Sequence, residues 1–104
     1  MIVYNITFHI DADVLDKALA YLKKEYIPAA IASGILQNPC LRRILSVSND
    51  EGESFSIQFH AENEEKLDKW IQNEGLKFNE TLIHHFGHKI SGFATLLEDV
   101  DWEK

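Results

Sequence analysis

The chain has a single cysteine, Cys40, so no disulfide can form within it. A lone cysteine suits a reducing compartment, and a cytoplasmic location is expected. Proline is scarce, with Pro28 and Pro39 the 2 instances among 104 residues. Pro-rich linkers and low-complexity tracts are thereby excluded. No apolar run approaches the ~18 residues of a spanning helix, so no membrane partner is expected. Met1 leads straight into an alternating apolar run. No basic stretch with an apolar segment and a cleavage site precedes it, and no signal peptide is expected. Positive charge is in deficit: 10 Lys and Arg stand against 17 Asp and Glu, a net charge of −7. An acidic chain repels phosphate backbones, which argues against a nucleic-acid partner. Also missing are a Gly-rich phosphate loop, CxxC, GxSxG and HExxH.

What is present is a core and an order of elements. Hydrophobic residues make up 45% of the chain and aromatic residues 11%. A chain of this length buries roughly 65% of its unfolded surface, and residues 1–104 are expected to form one domain. Ile2, Tyr4, Ile6, Phe8 and Ile10 share one parity and Val3, Asn5, Thr7 and His9 the other, which reads as a strand buried on one face. Asp11 or Asp13 then offers a carboxylate cap to a helix whose stripe is Leu15, Ala18, Leu19, Leu22 and Tyr26. Pro28 predicts a kink or break near Ile27, and Gly34 a left-handed end. Residues 35–39 read as a connection and Cys40 to Val47 as an edge strand, with Ser48 to Glu53 as a hairpin loop. Ser54 to Ala61 alternates cleanly. Asn63 caps a second helix carrying Leu67, Trp70, Ile71, Phe78, Leu82, Ile83 and Phe86, weakened at Gly75 and ended by Gly87. Residues 89–97 form a last strand, apolar at both parities and so expected to be covered on both faces. The order strand, helix, strand, strand, helix, strand is the split βαβ, ferredoxin-like pattern of an α+β fold. It implies a four-stranded antiparallel sheet with two helices on one face.

Candidate chemistry is sparse. His84, His85 and His88 crowd the end of the second helix, but a metal site wants three or four convergent ligands. Gly87 breaks the alignment of His84 with His88. Histidines at a helix end that complement its dipole are the simpler reading, and no metal or cofactor is called for. His9 and His60 both lie on the polar parity of their strands. Antiparallel pairing separates them by about six residues at ~3.4 Å each, ~20 Å, so they share no proton within one subunit. Cys40 has no local base and reads as an inert thiol. Arg42 and Arg43 read as edge protection. The parity opposite the helices collects Asn5, His9, Gln58 and His60, with Phe93 and Leu97. This is too apolar for bulk water and too polar for a sealed core. It suits a partly wet interface in a homodimer, with Asn5, His9, Gln58 and His60 as the candidate cavity-lining residues for a small organic ligand.

Several segments together resemble a family of short bacterial proteins classed as a domain of unknown function. They are Ile2-Val3-Tyr4-Asn5-Ile6-Thr7, Ile27-Pro28 with Ser33-Gly34, and Leu41-Arg42-Arg43-Ile44-Leu45, then Phe86-Gly87 before Lys89 and Phe93-Ala94-Thr95-Leu96-Leu97-Glu98. The resemblance implies a ferredoxin-like fold of the dimeric α/β-barrel type, in which two sheets face each other. Proteins of that type include monooxygenases, haem-degrading enzymes and small-molecule lyases. The chain departs from the family pattern at Tyr26, where relatives often carry His, and at Ala94, where they often carry Arg. Two functions follow as expectations: a homodimeric non-catalytic binding or interaction module, or a monooxygenase-like small-molecule enzyme. The enzyme's site would lie between sheet and helices or between facing sheets, with one histidine moving a proton.

Overall fold

The computed structural model describes residues 1–45 and 51–103. β1 (Ile2–Asp11), β2 (Gln37–Ile44), β3 (Gly52–Ala61) and β4 (Ile90–Glu98) form one sheet in the order β2-β3-β1-β4. Every neighbouring pair is antiparallel. The alternation in β1 is realised without a break, every second side chain from Ile2 to Ile10 being buried. β3 matches it with Phe55, Ile57, Phe59 and Ala61. The register sets Tyr4 opposite Phe59 and Ile6 opposite Ile57, so the two central strands present one continuous apolar face.

Both helices cover that face. The first follows a 3-10 turn at Ala12–Val14 and runs through Leu15–Tyr21, a π-helical turn at Leu22–Tyr26, and Ile27–Ala32. Of the kink or break expected near Ile27, no break occurs: helical dihedrals run through Tyr26 and Ile27. The wide turn before Pro28 takes up the irregularity, and the proline stands in the first turn of the following α segment, where a missing amide is tolerated. The second helix runs through Glu64–Trp70, a π-helical turn at Ile71–Gly75, and Leu76–Phe86. Asn63 caps it as expected, its Oδ1 accepting the Lys66 amide at 2.9 Å. The carboxylate cap expected on the first helix is absent. Asp11 makes no cap hydrogen bond through its side chain, and the Asp13 carboxylate is engaged by Lys89. Gly34 and Gly87 end the helices at φ 79 and φ 60.

Strand limits shift where turn-formers misled. β2 begins at Gln37 and not at Cys40, because Asn38 (φ 53) and Pro39 form an irregularity between Gln37 and Cys40. β3 begins at Gly52, two residues before Ser54. The expected run of β2 to Val47 and the turn from Ser48 to Asp50 fall outside the described residues. β4 is not covered on both faces: beyond Ile90 every residue of it is exposed. It is an edge strand, and the second helix stands away from it.

The core between sheet and helices includes Ala18, Leu22, Tyr26 and Ala30 from the first helix and Leu67, Trp70 and Leu82 from the second. Aromatic rings run through it edge to face: Phe8 on Tyr26 at 5.8 Å, Tyr26 on Phe78 at 5.2 Å, Trp70 on Phe78 at 5.2 Å and Tyr4 on Trp70 at 5.9 Å between centroids. Such pairs add about 0.5–1.5 kcal/mol each beyond area burial. β1 and β2 are both antiparallel to the β3 between them, so the fold is ferredoxin-like.

Candidate binding groove

Where the second helix leaves β4 uncovered, a groove opens. Its larger part has a volume of about 490 Å³ and is walled by Phe8, Leu82, Ile83 and Ile90, with Asn79 and His88 at its polar side. A smaller part of about 200 Å³ shares Phe8, Asn79, Leu82 and Gly92 with the first and continues to Tyr4, Tyr26 and Ala94. Gly92 makes the wall possible. A Cβ there would stand 2.7 Å from Cδ1 and 2.9 Å from Cε1 of Phe8, so only glycine lets that ring lie against the strand. The helix side of the rim is apolar: Leu76 is 62% exposed and Ile83 56%.

None of the described residues lining either part is Asp, Glu, Lys or Arg. The hydroxyls of Tyr4 and Tyr26 make no hydrogen bond among the described residues. Burial pushes the Tyr26 phenol well above its ordinary range, and the nearby Tyr4 and Tyr21 add to this. Burial likewise raises Tyr4. Both therefore remain protonated and able to donate to a ligand acceptor. The Trp70 indole N–H, beside Tyr4, is buried with no hydrogen-bond partner among the described residues.

The four residues singled out from sequence lie elsewhere. Asn5, His9, Gln58 and His60 occupy the opposite, open face, where the register forms the row Cys40, Gln58, Asn5, Thr95. There His60 pairs in the sheet with Val3 and His9 with Ser54, so the two imidazoles stand at opposite ends of the face. Each is tied to a neighbour. Ser56 Oγ donates to Asn5 Oδ1 at 2.5 Å, and Asn5 Nδ2 donates to Thr7 Oγ1 at 3.2 Å. His9 Nδ1 and Ser54 Oγ share a bond of 3.1 Å, His60 Nδ1 and Asn38 Nδ2 one of 3.3 Å, and Arg42 donates to Gln58 at 3.4 Å. None of the four lines the groove. His84 and His85 stack at 5.8 Å between centroids. Among the described residues no three His, Cys, Asp or Glu side chains converge as a metal site.

The groove escaped sequence reasoning because its walls are the same apolar stripes that build the core. Two signals pointed to it. An isolated glycine inside a strand, Gly92, marks a close approach. Leu76 falls outside the buried stripe of its helix, and Ile83, counted within that stripe, is exposed.

A four-stranded antiparallel sheet with two helices on one face and a groove beneath one edge places the chain in the ferredoxin-like α+β class. Within it the chain belongs to the family described as a domain of unknown function (DUF4286), whose model matches residues 1–100. No curated protein matches the chain. Among solved structures the fold is similar to that of an antibiotic biosynthesis monooxygenase, with a TM-score of 0.67 and 17% identity over 97% of this chain and 100% of the other. It is also similar to a dimeric ferredoxin-like protein from an uncultured marine organism, with a TM-score of 0.58 and 17% identity over 99% and 100% of the two chains. Tyr26 and Ala94 both line the smaller part of the groove.

Proposed function

We propose that the protein is a homodimeric binding module for a small, neutral, mostly apolar organic ligand held in the groove between the second helix and β4. The observation that carries this reading is a groove of ligand size whose lining includes no Asp, Glu, Lys or Arg among the described residues. A charged ligand would lose its hydration there without a carboxylate, ammonium or guanidinium to pair with, at a cost of several kcal/mol. A neutral one gains from aromatic and aliphatic walls and from the two phenol donors. The dimeric neighbour of the same fold supports the assembly. The test is titration with the neutral fluorophore N-phenyl-1-naphthylamine. Saturable binding at one site per chain is expected, with loss of binding in Asn79→Trp, which fills the groove from an exposed position on the second helix. Non-saturable uptake, or binding indifferent to Asn79→Trp, defeats the reading.

The neighbour named as a monooxygenase favours a second reading, an enzyme of the dimeric α/β-barrel type. In that version Asn5, His9, Gln58 and His60 line a cavity between facing sheets, and one histidine exchanges a proton with the substrate. Native mass spectrometry supplies the co-purified compound, and its return to the protein in air is followed by mass. Gain of one oxygen atom with loss of two hydrogens, the second atom of dioxygen leaving as water and the substrate itself supplying the electrons, supports catalysis when His9→Ala or His60→Ala abolishes it; an unchanged mass removes it.

A further inference from the structure

The two edges of the sheet are built differently. β2 carries Pro39, Arg42, Arg43 and a backbone irregularity, with Arg43 tied to Glu53 at 2.7 Å and lying 5.3 Å over the Phe55 ring. These are the devices that keep an edge strand from pairing with another chain. β4, at the other edge, is ISGFATLLE, without lysine, arginine or proline, and its Phe93, Leu96 and Leu97 are exposed. A nine-residue edge with unpaired backbone groups and bare apolar side chains is a template for a second strand.

The segment after β4 has a strand pattern with no strand to join. In residues 98–103 the acids Asp99, Asp101 and Glu103 alternate with Val100 and Trp102, which are 79% and 85% exposed. Alternation of this kind belongs to a half-buried strand. On an extended path Val100 and Trp102 keep the parity of Gly92, Ala94 and Leu96, the side of the sheet that faces the helices. Their own groove is out of reach. Ile90 lies ~27 Å back along the strand from Glu98 at ~3.4 Å per residue, whereas Trp102 lies at most ~14 Å of chain beyond it.

We infer that β4 pairs antiparallel, edge to edge, with β4 of a second copy of this chain, and that the partner's Trp102 closes the groove at Ile83 and His88. A two-fold pairing that uses the whole strand is centred on its middle residue, Ala94. That register puts the partner's Glu98 opposite Ile90, the partner's Asp99 beside the Lys89 ammonium, and the partner's Trp102 at the level of Phe86 and Gly87. The two-fold axis of such a pair is perpendicular to the sheet, so both helix layers lie on the same side. The partner's Val100 and Trp102 therefore point into the layer where Ile83 and the mouth of the groove are bare. Each copy completes the binding site of the other. Trp102 lies beyond residues 1–100 matched by the family.

This inference rests on the groove as the ligand site, and two full-length single-cysteine chains test it apart from ligand binding. Both carry Cys40→Ser; one adds Trp102→Cys, the other Ile83→Cys, with different affinity tags. They are co-expressed and oxidised. A disulfide joining the two different chains is expected, at several times the yield with a chain carrying Arg43→Cys on the opposite edge. A dimer that gives no such preference, as when open faces stack, overturns the inference, as does a monomer at tens of micromolar. Trp102→Ala, at a fully exposed position of the single chain, is expected to fold normally and to weaken fluorophore binding about tenfold. Undiminished binding in that variant also overturns the closure while leaving the groove reading intact. A disulfide without fluorophore binding removes the groove reading and leaves the pairing.

Discussion

At Gly92 one missing carbon decides how close β4 comes to the core. Phe8 is almost fully buried, and a new methyl at 2.7 Å would force its ring out of the place it holds against the strand. Gly92→Ala is expected to cost about 1–3 kcal/mol by overpacking, read as a lower urea midpoint. Phe8→Leu in the same chain should recover part of that loss by clearing the space, and an unchanged midpoint in the single variant would show a wall softer than described. The tyrosines make a second prediction at this scale. Tyr4, Tyr21 and Tyr26 are the 3 tyrosines of the chain, and all three are raised, chiefly by burial. A group whose folded pKa is raised contributes stability that is complete below its unfolded value, about 10 for tyrosine, and lost as pH climbs through the folded value. Stability should therefore hold to about pH 10 and fall above it. Absorbance at 295 nm should show little tyrosinate in the folded protein at pH 10, and a large share of it after urea unfolding at the same pH. Equal titration of folded and unfolded protein would contradict the burial of these hydroxyls.

The helices are governed by their ends and their wide turns. Asn63 is the side chain that satisfies a free amide at the start of the second helix, and Asn63→Ala should cost about 1 kcal/mol. Gly75 stands at helical dihedrals, φ −57 and ψ −39, with the nearest atoms to an added Cβ at 3.5 Å or more. Gly75→Ala is accordingly expected to stabilise by about 0.5–1 kcal/mol, because alanine has less freedom to lose on folding. Both are read from chemical denaturation; a destabilised Gly75→Ala would mean the π-helical turn requires glycine. These elements were legible because each rule acted locally. The parity of β1 and β3, the cap at Asn63 and the stops at Gly34 and Gly87 need no knowledge of neighbours. Pro28 and the Asn38-Pro39 pair misled because breaker chemistry was absorbed, by a π-helical turn in one case and a strand irregularity in the other. The groove was not legible for a different reason. Whether Ile83 is buried depends on the distance between helix and strand, and no local pattern encodes that distance.

On the scale of the whole molecule, the single chain leaves its apolar surface unevenly placed, and the imbalance predicts association. Phe93 sits on β4 opposite Thr7, two-thirds exposed, while the charged devices that guard β2 have no counterpart around it. In one subunit alone, replacing an exposed side chain shifts stability by no more than about 0.5 kcal/mol. In a dimer paired through β4 the same side chain lies against the partner strand, and a lysine there acts as an edge guard does. Phe93→Lys should thus give a monomer by sedimentation velocity where the unaltered protein is expected to sediment as a dimer. Melting separates loss of assembly from loss of fold. Because dimerisation stabilises only the folded state, the melting temperature of the unaltered protein should rise with concentration, whereas that of Phe93→Lys should not. The two should converge at the lowest concentration that can be measured. A variant that melts far lower even there has lost its fold, and one that stays dimeric shows that a surface other than β4 holds the subunits together.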